Sequence, residues 1–236
     1  MKGVKFLMGV CLLPVVWASV ETLAWLLQSG ARIGIPWNRL GPFLWGFALW
    51  VLWFLIFPSP KRLYILEHEA THALAVLMAG GKVKQMKVGP ESGHVVVDKT
   101  SAWISLSPYI FPLFPVFSGL LWWGGLVLFP ELVRWQGGFL FLWGLIWSFH
   151  VCYTISLIPT HQEDFASQGF FFSWVIIFLA HCWLLIGFTW IWLQPVPLWQ
   201  LVEFFTLSVG ELCRNVFKLT YGLFAWFDLW PLTSRA

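Results

Sequence analysis

Residues 102–129 contain no Asp, Glu, Lys or Arg, and the same is true of residues 40–57. Such stretches leave a chain few options. About 20 apolar residues in a row suffice for a helix to cross the hydrocarbon core of a bilayer, where only elements that satisfy their own backbone hydrogen bonds are stable. Charge is scarce throughout: Asp, Glu, Lys and Arg make up 11% of the 236 residues, and apolar residues 59%. A water-soluble domain needs roughly a quarter charged residues to cover its surface. The chain is therefore read as an integral, multi-pass membrane protein, with the cell membrane as its expected location. Its net charge of +3 is scattered along the sequence. That excludes the concentrated basic patch on which nucleic-acid binding depends. Indole rings favour the headgroup layer, which fits the 19 Trp residues only in part, since many stand inside the apolar runs. Cys11, Cys152, Cys182 and Cys213 form no CxxC and are read as small buried hydrophobes.

The pattern predicts an all-α polytopic membrane protein of about five to six transmembrane helices, with one small β-hairpin. Residues 1–27 open with Lys2 and Lys5 and then run apolar. A cleaved signal peptide ending at Val16-Trp17-Ala18 competes with a retained span, which the continuation to Leu27 favours. Glu21 is expected to face protein or the interface. A loop over 31–39 leads to a span at 40–57, followed by 102–129, 137–158 and 169–193. Pro108, Pro112 and Pro115 predict a kink or a re-entrant piece in the first of these later spans. The tail at 198–229 is amphipathic, with Gln200, Glu203, Glu211, Arg214 and Lys218 at helical spacing, as for a helix lying on the membrane or capping the bundle. Three stretches follow: N-terminal spans at 1–58, a core at 59–168, and a C-terminal span with the tail helix at 169–236. Lys2, Lys5, Lys61 and Arg62 favour a cytoplasmic N-terminus, against Arg32 and Arg39.

The chemistry concentrates in the core. Ser59-Pro60 reads as a helix start, with the hydroxyl at the N-cap and proline at the first helical position, and Gly80-Gly81 as its stop. Two strands at 82–88 and 94–98 follow, joined by Gly89-Pro90-Glu91-Ser92-Gly93. The helix at 61–79 carries His68-Glu69-Ala70-Thr71-His72. Residues four apart share a helical face, so both imidazoles can address one ion, and Glu69 can reach a water bound there. The plain alternative is a pair of structural histidines on a polar face. Burying three ionisable groups in an apolar bundle needs a compensating partner, and a zinc ion supplies one. A catalytic zinc takes three protein ligands and keeps one position open. Asp164, in Pro159-Thr160-His161-Gln162-Glu163-Asp164, is one candidate for the third, with Glu163 and His161 as alternatives.

An HExxH helix, a following hairpin and a later Asp-bearing motif are similar to the site-2 protease family of intramembrane zinc metalloproteases. Members often carry Asn-Leu-x-Pro-x-x-x-x-Asp-Gly. Here Ser156-Leu157-Ile158-Pro159 is followed in the same register by Asp164-Phe165, with Ser in place of Asn and Phe in place of Gly. The resemblance covers 59–168 and includes no inserted PDZ-like domain. It implies a zinc endopeptidase that cuts membrane-embedded protein or peptide substrates. His68, His72 and Asp164 would be the ligands, Glu69 the base, and Ser156 would stand at the substrate-holding position. It further implies that the hairpin, with Val95 and Val97, offers a strand edge to an extended substrate by β-augmentation. Other readings are a zinc sensor or transporter, a membrane-surface zinc peptidase with Glu163 as third ligand, and an inactive relative kept as a scaffold. His94 is read as a satisfied strand residue, and Glu131 and Arg134 as interfacial. His150 and His181 are read as a structural pair or as lining a water path to the metal. Glu67 is read as a plain helix-face residue or as an outer hydrogen-bond partner of the site.

Overall fold

The computed structural model describes residues 2–34, 37–58, 60–157, 163–193 and 195–233. The chain runs α1 (Lys2–Ile33), α2 (Trp37–Ile56), α3 (Lys61–Met78), β1 (Val83–Val88), β2 (Gly93–Val97), α4 (Ala102–Ile110) and α5 (Leu113–Leu128). A 3-10 turn (Pro130–Trp135) leads to α6 (Gln136–Leu157), α7 (Glu163–Gln168), α8 (Phe170–Leu193) and α9 (Leu198–Thr233). Among the described residues, three stretches are long and apolar enough to cross a membrane: Lys2–Ile33, Pro130–Ser156 and Phe170–Ile191. Two bent pairs, α2 with α3 and α4 with α5, raise the number to five when each pair is one span.

The bend between α4 and α5 is 66° and falls at Phe111-Pro112, inside the proline-rich stretch singled out in the sequence. Proline cannot donate a backbone hydrogen bond, so the ladder restarts with Pro112 as N-cap of the next helix. Several local expectations need correction. Pro60 itself occupies the N-cap of α3, without a side-chain cap, and Ser59 lies outside the described residues. Much of the loop expected over 31–39 is helical, because α1 continues to Ile33 and α2 begins at Trp37. The second strand starts one residue early, at Gly93. Cys11 and Cys213 are exposed rather than buried, on outward helix faces, while Cys182 is buried.

The chain divides into two compact units, Met1–Lys5 with Ile35–Ile177, and Phe6–Gly34 with Phe178–Ala236. In the second unit, Leu26, Ile186 and Leu201 form a core, and Trp25 stacks on Phe204 with ring centres 4.6 Å apart. Glu21 accepts a 2.7 Å hydrogen bond from the indole of Trp17 one turn earlier, so the carboxylate finds its partner on its own helix.

The first unit holds all the residues of the core motifs. Its frame is α2 against α6. The contacts Phe43–Trp143, Trp50–Phe149 and Phe54–Tyr153 advance together along both helices, so the two run parallel. Gly46 and Gly144 let the backbones meet. A methyl on Gly46 would run into the carbonyl of Phe141, and one on Gly144 into the carbonyl of Phe43. Small residues serve this purpose where helices pack inside lipid.

Helix α3 ends in a Schellman motif. Gly80 adopts φ +68°, its N–H bonds the carbonyl of Leu77, and the N–H of Gly81 bonds that of Val76. The ammonium of Lys99 reaches the carbonyls of Ala79 and Gly80, which favour a cation at a helix C-terminus. Asp98 accepts from the backbone N–H of Lys82 at 2.7 Å and closes the base of the hairpin. The hairpin then lies alongside α3, with Val83 and Val97 packed on Ala75, Val76 and Ile104.

Candidate metal centre

One turn of α3 presents His68 and His72 on a common face, their ring centres 4.8 Å apart. Asp164 arrives from α7, more than ninety residues later in the chain. Its Oδ2 lies 3.5 Å from Nε2 of His68 and 3.4 Å from Nε2 of His72, and the three ligand atoms lie within 4.8 Å of one another. The carboxylate is carried there by its neighbour Phe165. That ring is buried against Leu106 and Tyr109 of α4, with Phe165 and Tyr109 ring centres 4.6 Å apart. Gln168, at the end of α7, donates to Ser105 at 3.2 Å and accepts from the ammonium of Lys5.

The outer hydrogen bonds orient the imidazoles. Nδ1 of His72 lies 2.8 Å from the carbonyl of Ile104, which can only accept, so this nitrogen carries the proton and Nε2 keeps its lone pair for the site. Nδ1 of His68 lies 3.3 Å from the Tyr64 hydroxyl. The fully buried Tyr109 donates to Oδ2 of Asp164 at 3.3 Å and sets its ring edge-on to His68. Metal-binding histidines commonly engage their second nitrogen in this way.

The spacing itself carries information. A charge-assisted N–H···O bond measures about 2.7–2.9 Å. Zinc bonds of about 2.0–2.1 Å in a tetrahedron place neighbouring donors about 3.3–3.4 Å apart. The two His–Asp distances match the second geometry, and the donor set of two imidazoles and a carboxylate suits zinc. Burial alone would push the Asp164 carboxyl up, but the two imidazoles facing it outweigh that and hold it well below the usual carboxylate range.

Glu69 is only 7% exposed and stands under the start of β2. A methyl on Gly93 would lie 2.7 Å from Cγ of Glu69 and 2.6 Å from Cγ2 of Ile65, so only glycine lets the hairpin press onto the helix here. Two cavities flank this contact. The larger, about 520 Å³, is lined by His68, Glu69, His72 and Asp164 together with Val95 and Val97. The smaller, about 340 Å³, shares His68, Glu69 and Gly93 and includes Ser156.

The structure thus brings together His68, Glu69, His72 and Asp164, with Val95 and Val97 beside them and Ser156 one cavity away. His161 lies outside the described residues, and Glu163 begins α7. His94 is exposed at the rim of the larger cavity. Glu67 and His150 meet elsewhere: Oε1 of Glu67 lies 3.3 Å from Nδ1 of His150 and accepts from the backbone N–H of Phe114 at 3.1 Å, in the first turn of α5. Glu67 therefore ties three helices together instead of serving the imidazoles. Arg134 donates to the carbonyl of Glu131 on the exposed 3-10 turn. Tyr64, Tyr109, Gly93 and the Ile104 carbonyl were not found from sequence. None has a spacing signature, and only a turn rich in Gly and Pro hints at Gly93.

Compared with known proteins, the chain matches no family model, no curated protein and no solved structure.

Proposed function

We propose that this chain is a zinc metalloendopeptidase embedded in a membrane, acting on extended segments of membrane-embedded protein or peptide substrates. The observation that carries this reading is the convergence of His68, His72 and Asp164, the carboxylate lying near the edge length of a zinc tetrahedron from each imidazole, with the buried Glu69 beside them. His68, His72 and Asp164 would hold a zinc ion, which would supply Lewis acidity to a water and to the scissile carbonyl. Glu69 accepts the proton of the attacking water and returns it to the departing amine nitrogen. Gly93 and Ile65 confine the Glu69 side chain. Tyr109, Tyr64 and the Ile104 carbonyl fix the ligands before substrate arrives, so no reorganisation is required during the reaction. Strand β2 lines the same cavity and offers backbone groups to an extended peptide, which supports binding by β-augmentation. The apolar runs and the candidate spans support a multi-pass placement in the bilayer.

Zinc stoichiometry and cleavage of a single-span model substrate, measured for the full chain in detergent, test the reading. Wild type and Glu69→Gln should each hold one zinc, and only wild type should cut. Asp164→Ala should lose zinc at concentrations that saturate wild type. Equal cleavage by wild type and Glu69→Gln overturns the enzyme reading. One zinc in both proteins with cleavage in neither replaces it by the zinc-binding alternative.

A further inference from the structure

The smaller cavity differs in character from its neighbour. Its walls are Phe54, Tyr64, Ile65 and Tyr153, with Ser156 at the side. Tyr64 and Tyr153 are stacked with ring centres 4.5 Å apart, and Phe54 meets Tyr153 edge-on at 5.2 Å. The larger cavity instead presents Thr100, Ser105, His94 and the Asp164 carboxylate. His68, Glu69 and Gly93 belong to both, so the reacting centre sits on the boundary between a polar chamber and an aromatic one. The aromatic chamber is also short. Lys61 and Glu91 line it and pair across at 3.2 Å, joining the start of α3 to the hairpin turn. A chamber of about 340 Å³ has ample room for one large aromatic side chain.

The geometry points to a specificity subsite: the aromatic chamber receives one large apolar or aromatic side chain from the residue next to the scissile bond. This inference rests on the zinc-peptidase reading, because the metal-bound centre defines which residue enters. A peptide along β2 fills the polar chamber with its backbone on one side of Glu69, and the residue beyond the reacting carbonyl meets the apolar wall of Phe54, Tyr64, Ile65 and Tyr153. Apolar burial then separates Phe from Ala.

The test uses the zinc-loaded full chain in detergent and three probes anchored on the metal: acetohydroxamate, and peptide hydroxamates bearing a single Ala or Phe side chain. Dissociation constants are read by competition against a fluorescent hydroxamate. Wild type should bind the Phe probe about tenfold or more tightly than the Ala probe, the scale on which one ring differs from a methyl in apolar burial. Ser156→Trp, which fills the chamber from an exposed position, should bring the ratio close to one. Phe54→Ala, which widens it, should extend the preference to a Trp-bearing probe. Equal binding of the Ala and Phe probes to wild type overturns the subsite, as does a ratio that neither variant changes. If acetohydroxamate itself fails to bind the zinc-loaded protein, the metal centre is wrong and the subsite falls with it. A Phe preference in binding without cleavage of any peptide supports the subsite and places the failure in the hydrolase reading.

Discussion

Asp164 owes its position to the residue after it. Phe165 is 2% exposed and seats the six-residue α7 on α4, where Tyr109 meets both the ring and the carboxylate. Phe165→Ala removes that seat. Zinc affinity should fall by about 10–100-fold, the range found when groups supporting metal ligands are lost. Measured by chelator competition, the loss should exceed that of Tyr109→Phe, which deletes one hydrogen bond and keeps the packing. Affinity unchanged in Phe165→Ala would show that α7 is held by other contacts. The contrast marks what could be read from sequence at this scale. His68, Glu69 and His72 announced themselves through helical spacing, whereas Asp164 is set apart from Glu163 and His161 only by the resemblance to the site-2 protease pattern. Phe165 stood out only as a departure from the family pattern, and its packing partner Tyr109 lies 56 positions earlier. Partnerships over such separations depend on the fold, and periodicity within one segment does not encode them.

Between elements, the least expected contact is the buried carboxylate of Glu67. It bridges α3, the first turn of α5 and His150 on α6, with Glu67 2% and His150 1% exposed. A carboxylate at a helix N-terminus is favoured by the helix dipole, and pairing with an imidazole offsets the cost of burial. Removing one member of such a pair usually costs about 3–5 kcal/mol. Glu67→Ala should therefore lower the thermal unfolding midpoint in detergent sharply, even though Glu67 contributes nothing to the ligand set. A midpoint within error of wild type would mean that the bridge carries little. The sequence announced most elements to within a few residues: the glycine stop of α3, the proline break between α4 and α5, and the hairpin turn all follow from local backbone chemistry. Helix starts were less legible. The expected Ser59 cap gave way to Pro60, and α2 begins inside a supposed loop, because packing extends helices past residues that weakly oppose them.

For the molecule as a whole, the distribution of charge predicts one orientation under the proposed membrane placement. Lys61 and Arg62 follow the C-terminal end of α2, and Lys82, Lys84 and Lys87 stud the hairpin beside them. The ammonium of Lys5 reaches α7, so the N-terminus lies at the same end as Asp164. The opposite ends of α2 and α6 have Arg39 and the Glu131–Arg134 turn. Basic residues favour the cytoplasmic side. A single cysteine at position 84 in a cysteine-free background should be protected from an impermeant thiol reagent added outside intact cells, and one at 134 should react. The reverse pattern would invert the orientation. Composition and uncharged runs made the long apolar helices legible, but the grouping of distant segments into two units was not, since it depends on which helices meet. The glycine contact between α2 and α6 has a reach of its own. Phe54 and Tyr153, two turns beyond Gly46 and Gly144, touch edge-on and form one wall of the aromatic chamber. The two glycines therefore act as the hinge pin that keeps the two leaves of that wall shut. A methyl group added at Gly46 should part the leaves and loosen the choice between Phe and Trp probes, with His68, His72 and Asp164 left untouched.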